Sequence, residues 1–283
     1  MIIDFRVRPP YKGYLNTFNF RKAAPSSDPT RETIFSIGKR PNVSAIEGSI
    51  ELFMREMDAT GTERAVIMGR KADSYGMVDN NEILELSRTY PGRFIPFAGA
   101  NPNLPGMVEE IEHFAGQGFR GVGLDAGWLG RPLYYDDPLF DPIYAKCQEL
   151  GLIASLTSSF MLGPDLSYSE PCAIQRVAMK YPNMKIVVPH GCWPHVHTAL
   201  AVAIRCPNVY LMPDCYIYID GFALSDEYIK AANTYLKYRI LYASSYPVRS
   251  LEQAQEGWKG RAFTEEALRN TLHDNAARLL GEM

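Results

Sequence analysis

Met1-Ile-Ile-Asp-Phe-Arg-Val-Arg-Pro-Pro10 opens the chain, and its reading decides the fold. Ile2, Ile3, Phe5 and Val7 form an apolar run of strand length that Pro9-Pro10 stops. Arg6 and Arg8 stand two residues apart near its end, so in a strand their side chains leave from one face. Two guanidiniums on one face repel, and each needs an anion. Carboxylates of the protein could answer that need. So could an anionic ligand, because arginine forks onto carboxylate or phosphate oxygens through two parallel hydrogen bonds.

Outward from this strand the chain alternates. Residues 11–44 are polar and rich in Pro, Ser, Asn and Arg; a loop that long inside a compact chain marks a lid or a binding loop. Ile46, Ile50, Phe53 and Met57 recur at helical spacing, and Gly61 ends that helix. Further strands are expected at 65–68, 94–98, 121–124, 153–157, 185–189, 208–212 and 239–242. Helices are expected between them, at 83–90, 107–115, 142–150, 172–181, 198–205 and 228–235. Thr264 caps a last helix whose apolar face is Leu268, Leu272, Ala276 and Leu279, with Gly281 as its stop. Eight strands, each followed by a helix and without a break in composition, predict one α/β domain over residues 1–283, a closed (β/α)8 TIM barrel. A doubly wound sheet is the competitor, but no GxGxxG follows the first strand.

Composition narrows the classes. A chain of 283 residues fits a single barrel of roughly 250 residues. A net charge of -3 without a Lys/Arg-rich run argues against nucleic acid. No apolar run approaches the ~18 residues of a membrane helix, so no membrane partner is expected. The chain opens on a core strand, which leaves no room for a signal peptide. Cys147, Cys172, Cys192, Cys206 and Cys215 are scattered, odd in number and without a CxxC pair; they read as reduced thiols of a cytoplasmic protein.

In such barrels the active site lies at the C-terminal ends of the strands. Those ends carry Arg6, Arg8, Arg70, Asn101, Asp125, Thr157, His190, Asp214 and Ser245. Polar loops are ordinary there. Three arginines near one histidine are the specific part. His190, in Pro189-His-Gly-Cys-Trp-Pro-His195, directly follows an apolar strand, so its ring should look into the barrel mouth. A neutral imidazole, with an ordinary pKa of ~6.5, can act there as general base or electrophile. A hydrogen-bonded structural histidine is the plainer alternative. His195 and His197 read as surface residues unless their loop folds inward as a metal pair, and His113 and His273 fall on helices outside the barrel. Trp128, Tyr134, Trp193, Tyr216, Tyr218 and Tyr246 would furnish an aromatic mouth suited to a flat unsaturated ring, although tyrosines at loop ends often simply pack.

Several segments together carry a resemblance that spans nearly the full length. They are Ile3-Asp-Phe-Arg-Val-Arg-Pro9, Gly118-Phe-Arg-Gly-Val-Gly-Leu124, Gly151-Leu-Ile-Ala-Ser-Leu-Thr157, Pro189-His-Gly191, Pro207-Asn-Val-Tyr-Leu211, Ala243-Ser-Ser-Tyr-Pro247 and Asp274-Asn-Ala-Ala-Arg-Leu-Leu-Gly281. On these the chain resembles the amidohydrolase superfamily. The nearest branch is the amidohydrolase-related one (amidohydrolase 2), which includes aminocarboxymuconate-semialdehyde decarboxylase, resorcylate decarboxylase and 2-pyrone-4,6-dicarboxylate lactonase. The resemblance implies a barrel like that of the metal-dependent hydrolases, and a homo-oligomer. It sets Arg6 and Arg8 at the family's first-strand His-x-His, Thr157 at its fifth-strand His, and Ser245 at its eighth-strand Asp. Of that ligand set His190 remains.

Zn2+ takes about four ligands from His, Cys or carboxylate, and cations at the first strand would repel a divalent ion. We therefore expect no metal or other cofactor, with zinc as the disfavoured alternative. Guanidiniums would take over the ion's charge, anchoring a carboxylate and part of a developing oxyanion. The lactonase, which acts on a dicarboxylate without metal, implies that the fold tolerates this exchange. The expected activity is metal-independent hydrolysis of a small carboxylated lactone or related ester. His190, Asp214 and Ser245 are the expected catalytic residues. Arg6, Arg8, Arg70, Asn101, Asp125, Thr157, Trp193 and Tyr216 are expected around the small anionic substrate. A decarboxylase or other lyase of the same family, and a non-catalytic barrel binding an anionic metabolite, are the alternatives.

Overall fold

The computed structural model describes residues 1–21 and 34–283. Among them the strands are β1 Ile2–Val7, β2 Thr62–Met68, β3 Lys71–Ala72, β4 Gly76–Met77, β5 Phe94–Ala100, β6 Gly121–Leu124, β7 Ile153–Leu156, β8 Ile186–Pro189 and β9 Val209–Met212. Seven of these form one parallel sheet in the order β1-β2-β5-β6-β7-β8-β9, while β3 and β4 make a small antiparallel hairpin beyond the end of β2. The expected strand at 239–242 is present as an extended segment with isolated parallel bridges, Leu211 to Ile240 on one side and Val7 to Tyr246 on the other. Phe5 N donates to Tyr242 O at 3.1 Å and Arg8 N to Tyr246 O at 3.0 Å, which joins that segment to β1 and closes the (β/α)8 barrel. Its ladder is interrupted because Ser244 N turns to the Asp4 carboxylate, 3.0 Å away.

The interior is filled by Ile3, Phe5, Val66, Met68, Ile95, Phe97, Ile153, Val187, Met212, Leu241 and Ala243. The C-terminal helix Asn275–Leu280 packs Ala276, Ala277, Leu279 and Leu280 against the same cluster and plugs the N-terminal end of the barrel. Arg120 donates to Leu280 O, Lys185 Nζ donates to Leu279 O at 2.8 Å, and Arg64 pairs with Glu282, so residues at the strand starts fasten the plug.

A bulge in β1 decides where the arginines point. Asp4 pairs with Ala65 and Val7 with Ile67, so three steps on β1 face two on β2. Val7, Ala65 and Ile67 lie in the outer cluster, whereas Phe5, Val66 and Met68 face the interior. The extra residue therefore puts Arg6 on the inward side next to Phe5, where regular alternation would turn it outward. A second constraint sits at the exits of β2 and β5. A Cβ on Gly69 would lie 2.1 Å from Gly99 N, so the two chains approach this closely only as glycines, and Arg70 follows directly.

Helices 80–89, 107–116, 141–150, 171–180, 196–205 and 226–233 match the expected alternation within a few residues. Three elements differ. The helix expected from Ile46 to Met57 is two, Val43–Glu47 and Ile50–Thr60, because Gly48 takes a left-handed φ of 63° and Ser49 caps the second. The last helix is interrupted by a π turn, Asn270–Asp274. Leu251–Lys259 is a helix that sequence periodicity does not reveal, since its buried face is Leu251, Ala254, Gln255 and Trp258, with one glutamine and one alanine among four positions.

Asp4 binds the closing seam through Oδ1, which accepts from Ser244 N at 3.0 Å and Arg6 N at 3.2 Å, while Oδ2 has no partner among the described residues. Burial pushes its pKa up from 3.8 to about 7, against the lowering effect of those hydrogen bonds. A raised carboxylate contributes stability that is complete below its ordinary pKa and is lost as pH rises through the folded value. Asp4→Asn retains the acceptor and removes that loss. Relative to wild type, the variant should gain about 1 kcal/mol per pH unit between pH 4 and 7 in urea unfolding. An offset identical at pH 4 and pH 8 would contradict a neutralised Asp4.

Candidate active site

The exits of β8, β9 and the closing segment each place a residue in an unusual backbone state. His190 has φ 65°, Asp214 φ 41° and Ser245 φ 50°, all in the left-handed region that side-chain-bearing residues rarely occupy. Backbone strain of this kind concentrates at functional sites. Here all three side chains converge on Arg6. Its Nη1 lies 3.0 Å from His190 Nε2, 3.4 Å from Asp214 Oδ2, and donates to Ser245 Oγ at 2.9 Å. A guanidinium only donates, so His190 Nε2 accepts and the ring proton sits on Nδ1, which donates to Asp214 Oδ1 at 2.9 Å. That oxygen also accepts from Cys215 N at 2.6 Å.

These contacts set the protonation states. Burial pushes the His190 pKa below 6.5, Asp214 opposes the shift, and Arg6 and Arg8 add to it, so the ring is neutral. Burial alone would push Asp214 up, but the imidazole and Arg6 hold its carboxylate down at about 2. Asp125 is likewise buried against its charge and is held below the ordinary range by Arg70, Arg8 and Arg6. Arg70 Nε donates to Asp125 Oδ2 at 3.1 Å, Nη1 donates to Asn19 Oδ1 at 3.0 Å, and the guanidinium lies 5.0 Å above the Trp128 ring. Arg8 differs from both. It is 1 % exposed, yet its Nε and Nη2 have no partner among the described residues. Those two nitrogens share one edge of the guanidinium, the edge that matches a carboxylate.

The expected residues are therefore divided. Arg6, His190, Asp214 and Ser245 meet directly, and Arg8, Arg70 and Asp125 share one electrostatic cluster with them. Thr157 is buried, helps hold the Asp125 pKa down, and accepts at its carbonyl from Tyr135. Asn101 is buried, but its contacts run to Asp73 Oδ2 and Asn103 N rather than to the arginines. Tyr216 lies edge-on to His190 at 5.5 Å and stacks with Trp193 at 5.5 Å. Sequence reasoning missed Phe35, Phe160 and Phe222, which complete that aromatic cover. It also missed buried Arg249, which donates to Phe35 O and to Ile37 O at 2.8 Å and so pins this part of the long loop over the mouth. The part of that loop at 22–33 lies outside the described residues. Other expected mouth aromatics are structural: Tyr218 bonds Ser244 O, Tyr246 bonds Ser44, and exposed Tyr134 stacks on Tyr168. His195 Nε2 lies 3.3 Å from Leu166 O and His197 is exposed, so neither joins His190.

Among the described residues, His190, Asp214 and Cys215 are the group of possible metal donors, within 4.8 Å of one another. They do not fit a divalent ion. Arg6 occupies the free side of His190, Asp214 Oδ1 already takes two N–H donors, and burial together with Asp214 keeps the Cys215 thiol far above its usual pKa. Among the described residues, no helix is long and apolar enough to cross a membrane.

Residues 4–281 match the family model described as amidohydrolase, and the chain belongs to that family. A search of curated proteins finds no match. Among solved structures, an uncharacterized TIM-barrel protein from Bordetella bronchiseptica is 33 % identical with a TM-score of 0.89, over 99 % of this chain and 98 % of that one. A probable 2-pyrone-4,6-dicarboxylic acid hydrolase from Acinetobacter baumannii, with citric acid bound, is 15 % identical at TM-score 0.65, over 99 % of each chain. A 5-carboxyvanillate decarboxylase from Novosphingobium aromaticivorans, with bound manganese, is 15 % identical at TM-score 0.65, over 99 % of this chain and 95 % of that one.

The pairing pattern predicts opposite responses to substitution. Asp125→Asn leaves Arg70 buried without its counter-ion and should cost about 3–5 kcal/mol. Arg8→Met removes an unpaired buried cation at similar length and should leave the melting temperature unchanged or higher. Equal damage from both would show that Arg8 is paired in the free protein.

Proposed function

We propose that this chain is a metal-independent enzyme that hydrolyses a small carboxylated substrate, a lactone or related ester. The observation that carries the reading is the Arg8 edge, a buried bidentate donor without an acceptor among the described residues. Three guanidiniums face two ionised carboxylates here, Asp125 and Asp214, so the cluster is one negative charge short. A substrate carboxylate would supply it. Citric acid bound to the Acinetobacter hydrolase supports a carboxylate-binding barrel, while the manganese of the decarboxylase is the comparison that opposes a metal-free reading.

Arg6 then stands where a substrate carbonyl can receive its N–H, stabilising the charge that develops on oxygen. In the free site His190 Nε2 accepts from that same N–H. When the Arg6 hydrogen bond shifts to the substrate oxygen the imidazole lone pair is released; His190 can then take a proton from the water that attacks the carbonyl carbon and return it to the alkoxide oxygen as the ester C–O bond breaks. Asp214 holds the ring's orientation and stabilises the imidazolium. Ser245 positions Arg6. Decarboxylation is the weaker reading, because a carboxylate gripped by a cationic fork is stabilised in its ground state and must lose that bond to leave as carbon dioxide.

Three measurements test this. Arg8→Met should lower kcat/KM for carboxylated lactones roughly 30-fold or more, and it should barely alter turnover of their methyl esters; equal losses would refute the fork. Because the neutral imidazole is the base and its pKa lies below 6.5, activity should hold from pH 8 to 6.5 and fall only at lower pH. Metal analysis should find background levels in active protein, with activity surviving a chelator. Stoichiometric metal and chelator-sensitive turnover would overturn the metal-free reading.

A further inference from the structure

The turn after β1 carries a buried polar group that the reaction above does not use. Tyr14, in the 3-10 turn Lys12–Asn16, is 0 % exposed and its hydroxyl has no hydrogen-bond partner among the described residues. The charged groups whose fields act on its phenol are Arg8, Glu82 and Arg70. Glu82 is already engaged, its Oε2 accepting from Gly13 N at 2.9 Å. Burial pushes the phenol pKa up, with the two arginines opposing, so the hydroxyl keeps its proton and remains a donor. The ring is fixed. Its cluster includes Val7, Val78 and Tyr246, and the Tyr14 carbonyl accepts from Thr17 N at 3.0 Å and Thr17 Oγ1 at 2.7 Å.

An unpaired buried hydroxyl is costly, and phenylalanine would fill the same volume without that cost. Two such costs occur six residues apart in the chain, at Tyr14 Oη and at the Nε/Nη2 edge of Arg8, the charge that acts most strongly on the phenol. One acceptor would satisfy both. We propose that Tyr14 and Arg8 form a single carboxylate subsite, in which the fork donates two hydrogen bonds and the Tyr14 hydroxyl a third. A carboxylate has room for about four. The single uncompensated positive charge matches a monoanionic group rather than a phosphate dianion. This rests on the reading of Arg8 given above and adds a substrate-binding residue from the loop that follows β1.

Tyr14→Phe and Arg8→Met would be compared with wild type by calorimetric titration with benzene-1,3-dicarboxylate, its dimethyl ester and inorganic phosphate, and by thermal unfolding without ligand. We expect the dicarboxylate to bind wild type and the ester and phosphate not to. Tyr14→Phe should raise the melting temperature of the free protein while weakening dicarboxylate binding about tenfold or more. A hydroxyl with a structural role would give the reverse, a lower melting temperature at unchanged affinity, and that result overturns the proposal. If Arg8→Met abolishes binding and Tyr14→Phe does not weaken it, the subsite fails while the Arg8 reading stands. If Arg8→Met binds the dicarboxylate as tightly as wild type, or phosphate proves the better ligand, both fail.

Discussion

Three guanidiniums share one buried volume at the barrel mouth, and the structure is arranged around keeping them there. Like charges a few ångströms apart in a low-dielectric interior repel by several kcal/mol, so each must be offset or left poised. Arg70 is offset by Asp125 and Arg6 by Asp214. Arg8 is left poised. The lowered pKa of Asp125 follows from that crowding of positive charge, that of Asp214 from His190 and Arg6 together, and the neutral His190 first of all from its burial. Removing one carboxylate would therefore disturb more than a single pair.

The scaffold meets this demand through local irregularity. Regular alternation in β1 would send Arg6 to the outer wall; the bulge against β2 brings it inside beside Phe5. Glycines at 69 and 99 let the ends of β2 and β5 approach until Arg70 enters the same space. The closing segment gives up ladder pairing at Ser244 so that Asp4 can hold it to β1, and Ser245, the next residue, reaches Arg6. Each departure from ideal geometry coincides with delivery of a side chain to the site. The interior apolar cluster and the C-terminal plug supply the rigid frame against which such departures are tolerated.

Much of this architecture is legible in the sequence. Apolar runs at regular spacing marked the barrel, and strand ends marked His190, Asp214, Asp125 and the arginines. What could not be read was direction and pairing. Periodicity cannot register a bulge, because one inserted residue leaves Arg6 and Arg8 two apart either way. Nor could it tell which arginines find carboxylates, since Asp125 and Asp214 lie far from their partners in sequence. Asn101 sits at a strand end like the others, yet it turns to Asp73, because the β3–β4 hairpin, two residues per strand, is too short for any pattern to reveal. Tyr14 was hidden for another reason. A tyrosine in a polar loop carries no signal until its hydroxyl is seen to lack a partner.

The exchange of an ion for guanidinium has a consequence for the chemistry on the proposed reading. A metal activates water before substrate arrives, whereas an arginine cannot lower the pKa of water comparably. The base must then come from His190, and the same Arg6 N–H that would stabilise the oxyanion caps its lone pair in the free site. The two roles exclude each other until a carbonyl oxygen competes for that N–H. On that reading a single hydrogen bond ties base release to substrate arrival, and both the electrophile and the base are at rest until then. The aromatic cover of Phe35, Phe160, Trp193, Tyr216 and Phe222 adds to this by keeping the cluster dry, which strengthens each electrostatic contact when the missing negative charge enters.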